Sequence, residues 1–168
     1  MRIMALLATG LLLLGGGVGM AQTSGAIAEA IPAPPPGGLT DAALRQMLLD
    51  MGYEPKGLSK GFLIAPKRGT WTINIQLVLS KDQSKIGLNA NLGKVPNPET
   101  IPAASWLKLL VDNGNIDPSS FYFDKDQKKL YLHRVMDNRA VTPAVLRSQI
   151  ENFSENVRDT NADWKFTD

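Results

Sequence analysis

From Thr70 to Ser80 the large apolar side chains fall on every second residue, Trp71, Ile73, Ile75, Leu77 and Leu79, with Thr72, Asn74 and Gln76 among the polar residues between them. A β-strand repeats its side-chain direction every two residues, so this spacing predicts a strand with one buried and one polar face. Lys85 to Leu92 alternates in the same way through Ile86, Leu88, Ala90 and Leu92. With Lys81–Ser84 as the loop, Leu79 faces Ile86, Leu77 faces Leu88, Ile75 faces Ala90 and Ile73 faces Leu92. A slip of one residue would turn Asn89 and Asn91 inward, which opposes any other register. Before this pair, Gly61–Pro66 has the aromatic and β-branched content of a strand, confined by Pro66 to a strand end or an edge.

Helical spacing flanks these strands. Thr40 is a good N-cap, Leu39 and Leu44 stand at hydrophobic-staple positions, and Leu44, Met47, Leu48 and Met51 form a stripe that Gly52 ends. Pro102 opens a second helix over Ala103–Asp112, with Trp106, Leu109 and Leu110 as its apolar face and Asn113-Gly114 as its stop. A second hairpin follows around Lys125–Lys128. In it Phe123 faces Leu130 and Phe121 faces Leu132 on the core side, while Tyr122 and Tyr131 pair on the other. Thr142 and Pro143 start a last helix whose stripe is Leu146, Ile150, Phe153 and Val157; Trp164 and Phe166 lie in a polar tail able to fold back on the core. The order is α-β-β-β-α-β-β-α. Short turns between strands mean antiparallel pairing, and the helical stripes must cover the apolar face, so the expected fold is a two-layer α+β domain with about five strands and helices on one face.

The first 38 residues follow a different pattern. Arg2, an apolar run from Ile3 to Leu14 and small residues ending at Ala21 read as a signal peptide cleaved before Gln22. Residues 22–38, with Pro32, Pro34, Pro35, Pro36 and paired glycines, read as a semi-extended linker, leaving 39–168 as one domain. The expected location is therefore outside the cytoplasm; an uncleaved first segment would instead tether the domain to a membrane. Composition narrows the chemistry. The whole chain carries +2, and loss of Arg2 leaves 17 basic against 16 acidic residues, a balance that implies no preference for nucleic acid. There is no Cys, which removes disulfides, thiolate metal sites and thiol nucleophiles.

The remaining constellations are weak. His133 is the single histidine and has no acid at a telling spacing, so neither a Ser-His-Asp site nor a multi-histidine metal site is expected. Asp124-Lys-Asp126 and Asp112–Asp117 have the look of calcium loops without the required glycine and terminal glutamate, and turn chemistry accounts for both. No catalytic, cofactor or metal residue is assigned. An enzyme made of this chain would be a hydrolase relying on carboxylates such as Asp124, Asp126 and Glu151. The second hairpin gathers the candidate partner-binding residues Tyr122, Tyr131, His133, Lys128, Lys129 and Arg134.

Residues Leu44–Gly52, Ser105–Leu110, the Phe121–Asp124 to Leu130–Leu132 hairpin and Thr142–Phe153, in this order, resemble the type III secretion chaperone-like fold, and within it the YbjN-type family regarded as sensory-transduction regulators. The resemblance covers about Leu39 to Val157 and implies a noncatalytic domain, often a homodimer, that binds an extended polypeptide or a partner protein. Such chaperones are typically acidic and cytoplasmic, and this chain departs from them in being slightly basic and carrying a leader-like start.

Overall fold

The computed structural model describes residues 33–167; the expected signal peptide and residues 22–32 of the expected linker lie outside them. In chain order the elements are α1 (Asp41–Asp50), β1 (Lys56–Gly57), β2 (Phe62–Ile64), β3 (Lys67–Arg68), β4 (Trp71–Thr72), β5 (Ile75–Leu79), β6 (Lys85–Lys94), a 3-10 turn (Pro98–Thr100), α2 (Ala103–Asn115), β7 (Ser119–Asp124), β8 (Lys129–Asp137) and α3 (Pro143–Asp159). Six strands form one antiparallel sheet in the order β1-β2-β5-β6-β8-β7, and β3 and β4 form a small second sheet. The α+β class and the order of the main elements follow the alternation in the sequence.

Both hairpin registers are as the apolar positions require. Leu79 lies opposite Ile86 and Leu77 opposite Leu88. Phe123 pairs with Leu130, Phe121 with Leu132 and Tyr122 with Tyr131. The sheet departs from expectation at its ends. The 70–80 stretch is not one strand: it joins the β6 ladder only at Gln76, so the expected Ile75–Ala90 and Ile73–Leu92 pairs are not formed, the Ile73 N–H donates to the Pro66 carbonyl at 3.0 Å, and Trp71–Thr72 turns aside to pair with Lys67–Arg68. Ile73 stays buried by packing instead of by pairing. β1, two residues long in a turn-rich stretch, is too short to leave a periodic signal.

Thr40 Oγ1 accepts from the Ala43 N–H and Thr142 Oγ1 from the Val145 N–H, so α1 and α3 begin on the caps their sequences supply. α2 runs three residues past its expected end at Asp112, through Asn113 and Gly114 to Asn115. Its last turn is held from outside: Asn113 Oδ1 accepts the Phe121 N–H at 2.6 Å, joining the helix end to β7. The helices and the inner sheet face enclose one core, with Leu44 and Leu48 of α1, Leu146, Ile150 and Phe153 of α3, and Ile75, Leu77, Ile86, Leu88, Leu130 and Leu132 of the sheet at most 1% exposed. Each such side chain contributes roughly 1.5–3 kcal/mol on burial. Trp164 and Phe166 do fold back and pack against this core.

Candidate partner-binding site

The structure gathers most of the hairpin candidates on the outer sheet face. The rings of Tyr122 and Tyr131 stack with centroids 5.1 Å apart and planes 10° apart, and His133 meets Tyr122 edge-on at 5.9 Å. His133 Nδ1 lies 2.7 Å from Asn89 Oδ1, an acceptor, so Nδ1 is assigned the proton and donates. Burial pushes the His133 pKa below the usual imidazole range, against a smaller upward pull from a backbone hydrogen bond at Leu88. Gln127 Oε1 accepts from both the Tyr131 hydroxyl and the Lys129 ammonium, each at 3.3 Å, which brings Lys129 to the rim of this aromatic group.

Two candidates lie elsewhere. Lys128 reaches across to donate to the Pro96 carbonyl at 2.9 Å. Arg134 is a correction: it is one residue out of phase with Tyr131 and His133, so strand alternation sends it through to the helix side, where it is 4% exposed. There Nε donates to Ser119 Oγ at 2.8 Å and Nη1 to Gln149 Oε1 at 3.1 Å.

Of the carboxylates that a hydrolase would need, Asp124 and Glu151 have structural duties in separate places. Asp124 Oδ1 accepts the Asp126 and Gln127 N–H groups and so fixes the hairpin turn, whereas Glu151, on α3, pairs with Arg68 at 3.5 Å. Among the described residues no three His, Cys, Asp or Glu side chains are grouped to hold a metal ion.

A different surface carries the stronger signal. α2 buries Leu109 but leaves Leu107, Leu110 and Val111 exposed at 60%, 65% and 67%. Leu110, expected on the apolar face toward the core, is thus turned to solvent. Beside the helix runs β7, the last strand of the sheet, which pairs with β8 on one side and on the other gives its Phe121 N–H to Asn113. Between them opens an apolar cavity of about 320 Å³ whose walls include Trp106, Leu110, Phe121 and Phe123. Such a contiguous exposed patch marks an interaction surface, since a solvated helix normally presents polar residues there.

The C-terminal segment occupies one end of this groove. Trp106 is held edge-on between Phe123, with centroids 5.6 Å apart, and Phe166, at 5.2 Å. Thr167 Oγ1 donates to the Leu92 carbonyl at 3.0 Å, and Lys108 of α2 forms an ion pair with Asp163. Asp112 stands beside Asp163 with its Oδ2 buried and without a hydrogen-bond partner among the described residues. Burial raises the Asp112 pKa, Asp163 raises it further, and Lys108 and Asn115 act the other way. The folded state therefore holds this proton more tightly than the unfolded chain does. The linked stability is greatest at low pH and declines as pH rises from the ordinary carboxylate range through the raised value. Tryptophan fluorescence is expected to report a loosened tail across that step. The step should vanish in Asp112→Asn; its persistence there would assign it to another group.

No protein-family model and no curated protein matches the sequence. Solved structures share its fold. YbjN from E. coli is 20% identical, with 74% of this chain and 93% of that one covered and a TM-score of 0.53. The ExoU–SpcU heterodimer of the Pseudomonas aeruginosa type III secretion system contains a chain 17% identical, with coverage of 74% and 99% and a TM-score of 0.54. A chain of the ExsC–ExsE complex is 14% identical, with coverage of 73% and 90% and a TM-score of 0.51. The α+β domain described here thus has the fold that YbjN shares with chains of these two complexes.

Proposed function

We propose that the chain is an exported, noncatalytic domain that captures an extended segment of a partner protein between α2 and β7. The observation that carries this reading is the apolar groove walled by Trp106, Leu110, Phe121 and Phe123 along the sheet-edge strand β7, with Leu107 and Val111 of the same helix facing solvent nearby. A segment laid there would bury side chains against the helix and pair with β7 beyond Phe121, since the Ser119 and Phe121 N–H groups are already bonded to the Ile116 carbonyl and Asn113 Oδ1, so that backbone affinity combines with side-chain selection. Support comes from fold neighbours solved as complexes with a partner, among them a HopA1–SchA chaperone–effector complex. Export rests on the leader-like start of the sequence, and mass spectrometry finding Gln22 at the N-terminus of the natural protein is the expected result.

The groove and the exposed apolar strip of α2 beside it are tested by Leu110→Glu combined with Val111→Glu, the first in the groove wall and the second on the strip. Both side chains are largely exposed, so the fold and its stability are expected to be unchanged, while a partner recovered from the cell envelope by the natural protein is lost at least tenfold. Equal recovery by both proteins would remove the groove as the binding surface. A second copy covering the same strip would appear as a concentration-dependent dimer mass that the double variant abolishes.

A further inference from the structure

Away from the groove, the loop joining α2 to β7 and the outer side of α3 enclose a polar cavity of about 290 Å³, with Asp117, Arg134, Gln149, Asn152, Glu155 and Asn156 among its lining residues. Arg134 is the unusual member. Its side chain is buried, yet among the described residues it forms no ion pair within 4 Å. Its two hydrogen-bond acceptors, Ser119 Oγ and Gln149 Oε1, are both neutral. Nη2 finds no acceptor among the described residues and is not sealed within the protein. A guanidinium taken out of water without a carboxylate is costly, and its planar fork suits two parallel bonds to a carboxylate oxygen pair. Burial lowers the Arg134 pKa and Asp117 partly offsets this through space, so a negative charge near it would be favourable.

The charges are distributed in a way that selects the ligand. The cation lies buried, whereas Asp117 and Glu155 are exposed residues of the same lining. A simple anion would be attracted by Arg134 and repelled by the two carboxylates; a simple cation would meet the reverse. A molecule carrying a carboxylate at one end and an ammonium at the other satisfies both, and the amides of Gln149 and Asn152 add neutral polar contacts. We infer that this cavity binds a free, small α-amino acid, its carboxylate on the Arg134 guanidinium and its ammonium toward Asp117 and Glu155. The volume lies just below the usual range for small-molecule sites, which suits a ligand as small as an amino acid. The site is distinct from the α2–β7 groove, so it stands whether or not a partner docks there.

The test is an NMR titration of the natural full-length protein with L-serine, N-acetyl-L-serine and L-serine methyl ester, three probes with one side chain and different charges. L-serine is expected to shift the Gln149 and Asn152 side-chain amide signals saturably at millimolar concentration. The two derivatives, each missing one charge, should bind at least tenfold more weakly. Arg134→Gln should abolish the response. Because that substitution touches a buried side chain, the exposed Asp117→Asn serves as the second variant and should weaken L-serine at least tenfold with the rest of the spectrum unchanged. Absence of any saturable shift, equal binding of N-acetyl-L-serine, or unaltered binding by Asp117→Asn would each overturn the assignment.

Discussion

Asn138→Ala is expected to lower the stability of the domain by about 3–4 kcal/mol, on the basis of about 1 kcal/mol for each hydrogen bond lost and a further penalty for each buried partner left unpaired. Asn138 is fully buried. Its Nδ2 donates to the Leu39 and Gln83 carbonyls, each at 2.8 Å, and its Oδ1 accepts the Leu39 N–H at 2.9 Å. One side chain thus fastens the entry to α1 and the β5–β6 turn to the end of β8, three places far apart in sequence. Alanine withdraws all three bonds at once and leaves no room for separate readjustment, because the neighbouring backbone is itself held: the Asn138 N–H donates to the Ser84 carbonyl and the Ala140 N–H to the Gly37 carbonyl. A domain of this size is stable by about 5–15 kcal/mol in total, so the loss is a large share. Urea unfolding should show a lower midpoint with an unchanged slope. Asn138→Asp keeps the acceptor for Leu39 but removes both donors and buries a charge, so it should not recover the loss. A change below about 1 kcal/mol in Asn138→Ala would mean that water replaces the side chain at no net cost, and the clamp would then be incidental.

What the sequence made legible was decided by periodicity. Ile86, Leu88 and Ala90 alternate with polar residues, as do Phe121 and Phe123, and each face can be assigned because a one-residue slip would reverse it. α3 was equally plain, since Leu146, Ile150, Phe153 and Val157 all reach the core. Features decided by contacts between distant segments were hidden. Asn138 reads locally as a hairpin-closing residue, and nothing near it reveals that its partners are Leu39 and Gln83. Leu110 follows Leu109 on the helix, and a helix apolar over much of its surface does not say which side the protein covers and which it leaves open. Arg134 is the instructive case in the candidate site. Its strand phase already set it opposite His133, but grouping charges by proximity in sequence put it with Lys128 and Lys129. The polar cavity became visible only once α3 brought Gln149, Asn152 and Glu155 beside it.

Gly61→Ala should cost about 2–5 kcal/mol, from about 1–2 for placing an L-residue in the left-handed region and about 1–3 for the steric clash. Gly61 has φ +71°, and a Cβ built there would lie 1.9 Å from the Leu77 carbonyl oxygen, 2.9 Å from its carbonyl carbon and 3.0 Å from Val78 Cα. The obstacle is the backbone of β5, an interior strand of the sheet, so no side-chain rotation relieves it. Relief requires β2 to draw away from β5 and loosen the pairs Phe62–Leu77, Leu63–Gln76 and Ile64–Ile75. The hydrogen bond from Gln76 Nε2 to the Lys60 carbonyl goes with them. Amide hydrogen exchange should locate the damage: β1 and β2 lose protection, whereas the β6–β8 and β7–β8 ladders keep theirs relative to global stability. The α2–β7 groove lies at the opposite edge of the sheet, so partner capture per folded molecule is expected to persist in Gly61→Ala and to fail in the Leu110/Val111 double variant. Retained protection of β2 with stability within about 1 kcal/mol of the natural protein would contradict the close β2–β5 approach, because an added methyl group cannot share space with a carbonyl oxygen.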